Sequence, residues 1–201
     1  TASGKSKLAI SLAKKLDGEI INADSMQIFK EFGILSSRPN LNDIKKIKHH
    51  LYGEISVKKY FSAGDWLKKS KKKIHTCLKR NKIPIVVGGT GLYFKTITKG
   101  ISKIPDIDLK TRNKVRNLYK KIGYKKFYDL LLKLDPKIKG RILPTDSQRI
   151  QRAYEVKIKT KKSLFDWFTN TKSDFLDFEI RKIFIDTPRE ELLKNISIRT
   201  E

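Results

Sequence analysis

Cysteine is nearly missing from this sequence: Cys77 stands alone among 201 residues. No disulfide framework and no cysteine zinc cluster can form within the chain, and a reducing cytoplasm is the expected compartment. Long apolar runs are missing too, so no segment reads as a membrane span, and no secretory leader precedes the first motif. Acid is scarce, with 21 Asp and Glu against 46 Lys and Arg, for a net charge of +25. Such an excess points to a polyanionic partner, nucleic acid ahead of an acidic membrane surface. A lineage preference for lysine accounts for the same numbers, because many lysines stand where Glu or Gln would serve. Charge alone therefore does not decide function. The hydrophobic share of 38% is low, yet the length suffices for a core and suits one large domain, or one carrying an inserted smaller one.

The first third alternates helices and strands. Ser6–Leu16 places Leu8, Leu12 and Leu16 at helical spacing, and Asp17-Gly18 ends that helix. Glu19–Ala23 reads as a short buried strand with Asp24 at its C-terminal end. Phe61–Arg80 reads as an amphipathic helix, with Leu67, Ile74, Cys77 and Leu78 on one face and Lys68, Lys69, Lys71, Lys72 and Lys73 largely off it. Ile83–Val87 is a core parallel strand running into Gly88-Gly89. From Asp106 to about Trp167 only helical patterns occur, with good starts at Asp135-Pro136 and Thr145-Asp146. Lys182–Asp186 is expected to return to a strand, and Thr187-Pro188-Arg189-Glu190 to open a helix with Thr187 as its cap. The expected organisation is a P-loop-like α/β core over 1–105, a helical insertion over 106–178 and a return to the core over 179–201.

Chemistry concentrates in four places. Thr1-Ala2-Ser3-Gly4-Lys5-Ser6 matches the second part of a G-x-x-x-x-G-K-[ST] loop, whose backbone N–H groups and following helix wrap a di- or triphosphate. Lys5 would neutralise the outer phosphate and the Ser6 hydroxyl would hold Mg²⁺. A Gly-Lys-Ser triplet also arises by chance, but here an amphipathic helix and a strand ending in Asp follow it. Asp24-Ser25-Met26-Gln27 places a carboxylate at a strand end, facing the ligand crevice; a cap or a contact to a Mg²⁺-bound water reads equally from the same residues. Gly88-Gly89-Thr90-Gly91 lets backbone approach a ligand, with the Thr90 hydroxyl near a phosphate oxygen, and a plain strand-to-helix turn is the alternative. Gln148-Arg149-Ile150-Gln151-Arg152 puts two arginines on one helix face, suited to RNA phosphates and bases or to a merely solvated surface. His49 and His50 suggest a metal, but no matching ligand cluster accompanies them, so a structural role is expected. The Lys68–Lys73 run reads as a solvated helix face.

Together these stretches resemble the tRNA dimethylallyltransferase (isopentenyltransferase) family. The matching segments are TASGKS at 1–6, NADSMQIF at 22–29, HHLYGEISVKKYFSAGDW at 49–66, IPIVVGGTGLYF at 83–94, LDPKIKGRILPTDSQRIQRAYEV at 134–156 and DTPREELLKNISIR at 186–199. Each is modest alone; their order across nearly the whole chain is specific. The resemblance implies an α/β P-loop-like parallel sheet with helices on both faces and an inserted all-helical tRNA-binding domain. It implies transfer of a dimethylallyl group from dimethylallyl diphosphate to N6 of adenine 37, beside the anticodon, in tRNAs reading codons that start with U. By the same resemblance the P-loop residues Thr1, Ala2, Ser3, Gly4, Lys5 and Ser6 hold the diphosphate with Mg²⁺. Asp24 is the general base, Thr90 stands beside the transferring centre and Arg199 binds diphosphate. Asp24, Ser25, Met26, Gln27, Thr90, Arg112 and Gln148, Arg149, Ile150, Gln151, Arg152 contact the anticodon stem-loop, and the protein is a monomer.

Departures from the family pattern also shape the expectation. The opening Gly-Pro and its strand do not precede Thr1, and the family's C-terminal part does not follow Glu201, so the chain is expected to be a fragment. Phe29 stands where many relatives have Tyr. Three other readings compete: prenylation of free adenine nucleotides, a small-molecule P-loop kinase, and a non-enzymatic RNA-binding module. The helical insertion with Gln148–Arg152 favours tRNA over a free nucleotide. Lys5, Ser6, Asp24, Thr90 and Arg199, all intact, argue against a decayed enzyme.

Overall fold

The computed structural model describes residues 2–169 and 171–200, with the side chains of residues 41, 199 and 200 excepted. The chain divides into two compact units, residues 1–98 with 174–201, and residues 99–173. The first is mixed α/β. Its sheet has three parallel strands in the order β2-β1-β3, with β1 at Gly18–Asn22, β2 at His49–His50 and β3 at Ile83–Val87. Its helices are α1 (Lys5–Lys15), α2 (Leu41–Lys46), α3 (Ala63–Leu78), α4 (Gly91–Lys99) and α7 (Arg189–Thr200). The second unit contains helices only among its described residues, chiefly α5 (Leu109–Leu134) and α6 (Ser147–Thr160).

Strand β1 is the spine because all five of its residues are buried. Successive side chains point to opposite faces, and each face has its own helical cover. Ile20 packs with Ala9 and Ala13 of α1. Ile21 and Ala23 pack with Trp66, Leu67, Ile74 and Cys77 of α3 and with Tyr93 and Ile97 of α4. Helix α3 starts where the sequence demands it: Ser62 accepts from the Asp65 N–H while Asp65 accepts from the Ser62 N–H, a reciprocal capping box.

Four expectations are corrected. The Leu8–Leu12–Leu16 stripe is not the buried face of α1. Leu8 and Leu16 are exposed, and the helix lies on the sheet through Ala9 and Ala13, whose small side chains allow a close approach. Leu78 of α3 is 37% exposed because the helix ends there. Strand β3 is only half-buried, since it forms one edge of the sheet rather than its centre. Lys182–Asp186 forms no strand. That segment pairs with no neighbour among the described residues, and Phe184 is 88% exposed.

At the other end of β1 a buried polar cluster replaces hydrophobic packing. Glu19 is hydrogen-bonded to His50 Nε2 at 2.5 Å, accepts from Arg80 at 2.8 Å and receives the Cys77 thiol at 3.4 Å. His50 thus has a structural partner, and with Glu19 and Cys77 it brings three potential ligand atoms within 4.8 Å of one another. The Arg80 guanidinium already supplies positive charge to that carboxylate. Burial pushes the Glu19 carboxyl up, but the bonds from His50 and Cys77 and the charges of His50 and Arg80 outweigh it and hold it below its ordinary 4.5. Burial likewise lifts the Cys77 thiol to about 11, which keeps it protonated.

A depressed folded-state value stabilises the protein above the ordinary value and loses that contribution as pH falls through the folded one. Glu19→Gln is therefore expected to be less stable than the wild type at neutral pH. The gap should narrow as pH falls below the ordinary carboxyl value of 4.5, read as urea midpoints of the two proteins across a pH series.

The helical unit has a separate core of Val115, Phe127, Leu131, Ile138, Ile142, Ile150, Ala153, Val156 and Leu164. Helix α5 breaks at Gly123, whose φ of 74° is left-handed, so the turns on either side diverge there. Asp108 caps α5 through the Thr111 N–H and pairs with Lys159 of α6 at 2.9 Å, tying the two helices together. Asp146 caps α6 through the Arg149 N–H.

Candidate active site

Two-residue connections decide where the functional groups go. Helix α1 turns through Leu16-Asp17 into β1. The helix and strand therefore run in opposite directions, and the N-terminus of α1 lies at the end where β1 finishes. The strands are parallel, so β3 finishes there too. Asp24 follows β1 and Gly88–Thr90 follows β3, at the C-terminal edge where open α/β sheets bind ligands.

The loop before α1 is built for an anion. Gly4 is left-handed at φ 78°, and no side chain caps the first turn of α1, which also lacks acid. Uncapped N–H groups and the positive end of the helix dipole are thus left for a phosphate. Lys5 Nζ donates to Ser3 Oγ at 2.8 Å, and the Ser6 side chain is exposed on the first turn. Asn195 of α7 donates to the Ala2 carbonyl at 3.3 Å, so α7 reaches this loop. Arg199 lies four residues further along α7. Its side chain lies outside the described residues, as does Thr1.

Asp24 is held by one oxygen. Its Oδ1 accepts from the Met26 N–H at 2.9 Å and from the Gln27 N–H at 3.3 Å. Its Oδ2 receives no hydrogen bond among the described residues and faces Gly89, where a Cβ would lie 3.7 Å away. One oxygen fixes the carboxylate and the other is left for a ligand. Thr90 binds the two strand ends together. Its N–H donates to the Ala23 carbonyl at 3.1 Å, and its hydroxyl accepts from the Ser25 N–H at 2.9 Å, leaving the hydroxyl proton to give.

A supporting layer escaped the sequence reading. Asn22, fully buried, accepts from the Asp24 N–H at 2.8 Å and donates to the Asp24 and Leu51 carbonyls at 3.0 and 2.9 Å. Trp66 donates to the Asn22 carbonyl at 2.8 Å and stacks on Tyr93 at 4.3 Å. Burial lifts the Tyr93 hydroxyl, with the charges of Asp24 and Asp65 adding to it, so it stays neutral beside the site. The available signals were an Asn two residues before the strand-end Asp and a Trp one position after the capping Asp65. Neither has a spacing that announces such a role. Trp66→Phe keeps the ring but strands the buried Asn22 carbonyl, and is expected to cost about 1–3 kcal/mol, measured by urea unfolding.

The remaining candidates separate by exposure. Met26 is 50% exposed. The Gln27 amide already donates to the Ser36 and Ser37 carbonyls at 2.8 and 3.2 Å, so it orders the 33–38 loop. Within the helical unit, Gln148 and Arg149 are exposed while Gln151 and Arg152 are half-buried. Ile150 is a correction: it is 0% exposed in the core of that unit, so it anchors α6 and has no surface to offer RNA. Arg149 leans on Asp146 at 3.3 Å and Arg152 on Glu155 at 3.5 Å, which orients both guanidinium groups. Arg112 is half-buried near the start of α5.

Comparison with known proteins adds to this geometry. Residues 27–201 match the family model described as IPP transferase. The chain is 56% identical over 200 residues to a tRNA dimethylallyltransferase of Pelagibacter ubique, covering 100% of this chain and 64% of that protein. A tRNA dimethylallyltransferase of Rickettsia massiliae is 43% identical over 202 residues, covering 100% and 56%. The chain thus spans about three-fifths of the length of these relatives. Among solved structures, a eukaryotic dimethylallyltransferase acting on tRNA superimposes with a TM-score of 0.74 at 32% identity, covering 86% of this chain and 43% of that one. Among the described residues no helix is long and apolar enough to cross a membrane.

Proposed function

We infer the function from descent and geometry together: the chain belongs to the IPP transferase family, and its strand-end site suits the transfer of an allylic group to an amine. The substrates are dimethylallyl diphosphate and a tRNA, and the acceptor is N6 of adenine 37 beside the anticodon. The single observation that carries this reading is the half-tethered Asp24, with one oxygen fixed by two backbone N–H groups and the other open toward Gly89, the residue before Thr90.

In the reaction the bond between the allylic carbon and its diphosphate oxygen breaks, and the electron pair leaves with the diphosphate. The uncapped N–H groups of α1 and the Lys5 ammonium bind that leaving group and stabilise its growing charge. The bond from N6 to the allylic carbon forms, and the proton released from N6 passes to Asp24 Oδ2. The Thr90 hydroxyl, oriented by the Ser25 N–H, donates toward the diphosphate oxygens. The exposed Ser6 hydroxyl is a hard oxygen donor that would hold Mg²⁺. When bound, the ion supplies further charge stabilisation on the diphosphate. The adenine is stacked in free tRNA and must leave its stack to reach Asp24. The exposed Gln148 and Arg149 of the helical unit, with the half-buried Gln151, Arg152 and Arg112, grip the anticodon stem-loop through phosphates and base edges.

The test is transfer of radiolabelled dimethylallyl diphosphate by the full-length protein, with Mg²⁺, to unmodified tRNA and in parallel to AMP and ATP. Label entering tRNA at the adenine beside the anticodon is the expected outcome. Label entering only the free nucleotides would replace the proposed acceptor, and label entering neither would end the reading.

A further inference from the structure

Outside the strand-end site, the first unit carries a cavity of about 310 Å³ between α3 and β2. Its walls follow from the periodicities of the two elements. Lys48 and His50 are two apart, so they share one face of the strand. Lys69, Lys72, Lys73 and Thr76 are related by steps of three and four and share one stripe of α3, with Arg80 just past its end. The lysine-rich run is therefore not a uniformly solvated face. Lys69, Lys72 and Lys73 line a concavity, while Lys71 turns away to Asp174 at 2.9 Å.

The charge in this groove is unbalanced. Glu54 is its only lining carboxylate among the described residues and already pairs with Lys69 at 3.2 Å. Arg80 is bound to Glu19 at 2.8 Å, and His50 to the same carboxylate. Lys48, Lys72 and Lys73 form no ion pair among the described residues. Three uncompensated ammonium groups thus converge on one concave surface. Lys72 and Lys73 stand on the helical wall and Lys48 on the opposite wall, so a phosphate chain laid in the groove meets free charge from both sides.

We propose that the groove between α3 and β2 is an RNA-backbone site, in which Lys48, Lys72 and Lys73 bind successive phosphates of the tRNA. It rests on the functional reading only for the identity of the RNA. The groove contributes affinity without sequence readout, because ammonium groups bind phosphate as point charges.

The measurement is fluorescence-anisotropy titration of labelled, unmodified tRNA with the full-length protein at several salt concentrations. The variants are K48Q/K72Q/K73Q, the matched-charge control K14Q/K15Q/K59Q on exposed lysines outside the groove, and K48R/K72R/K73R. Each lost phosphate contact lowers the slope of log K against log salt by about 0.7–0.9. The groove triple should therefore flatten the slope by about 2–3 and weaken binding roughly ten- to hundredfold near physiological salt. The control should change little, and the arginine triple should retain wild-type affinity. Equal losses in groove and control triples would mean diffuse charge and overturn the proposal, as would an unchanged slope in the groove triple. A wild-type protein that does not bind tRNA would fail the functional reading instead.

Discussion

Asp24→Asn is expected to lower prenyl transfer roughly 10²–10⁴-fold, the usual range for loss of a positioned general base, while leaving stability almost unchanged. The geometry separates the two effects. Oδ1 is the structural oxygen, accepting from the Met26 and Gln27 N–H groups. An asparagine keeps an acceptor there and preserves the turn that starts the 24–27 segment. In the proposed reaction Oδ2 takes the proton, and it is open toward Gly89. An asparagine puts an NH₂ group in its place, which cannot accept the N6 proton and presents donors to a donor. Asp24→Ala removes both functions, and should add to the catalytic loss a destabilisation of about 1 kcal/mol for the two stranded N–H groups. Single-turnover transfer of label to tRNA reads the chemical step, and urea midpoints read the fold. An Asp24→Asn protein that transferred the prenyl group at the wild-type rate would show that Asp24 is only a turn cap. The base would then have to be sought elsewhere.

The parts of this protein that were legible in the sequence are those in which local chemistry decides. Strand β3 was found with its bounds intact because a short apolar run ended in Gly88-Gly89. The start of α6 is set by Asp146, and α3, expected from Phe61 on its apolar spacing, begins two residues later, where Ser62 and Asp65 form a capping box. The strand-end placement of Asp24 and Thr90 followed from parallel strands alone. What was not legible depends on contacts between distant segments. Nothing near Leu8 tells it that the sheet will be met by Ala9 and Ala13 instead. Nothing in Lys182–Asp186 shows that its short apolar run will find no partner strand among the described residues. The roles of Asn22 and Trp66 require a carbonyl and an indole 44 residues apart to meet. The charge of the lysine run was visible, but its division between an open surface and a groove depends on Lys48 arriving opposite it.

Gly88→Ala is expected to be among the most damaging single-methyl changes in the chain. A Cβ built on Gly88 would lie 2.1 Å from the Ala23 carbonyl carbon, 2.2 Å from its oxygen and 2.7 Å from the Asp24 nitrogen. All three neighbours are backbone, so no side chain can swing aside. They also belong to the stretch that Asn22 and Thr90 hold in place, through the Asn22–Asp24 bonds and the Thr90 N–H to Ala23. To admit the methyl group, the end of β3 must move away from the end of β1, breaking the Ala23 N–H to Val87 carbonyl bond of 2.7 Å. Overpacking usually costs about 1–3 kcal/mol, and the lost ladder bond puts this case at about 3 kcal/mol or above. For a chain of this size that lowers the melting temperature by roughly 6–12 °C. Prenyl transfer should fall as well, because the same movement shifts Asp24 relative to Thr90. Gly91→Ala is the control, since a Cβ there meets nothing within 4 Å, and it should melt with the wild type. Gly88→Ala melting alongside that control would mean that the two strand ends part without cost, and that the shared frame of Asp24 and Thr90 is not rigid.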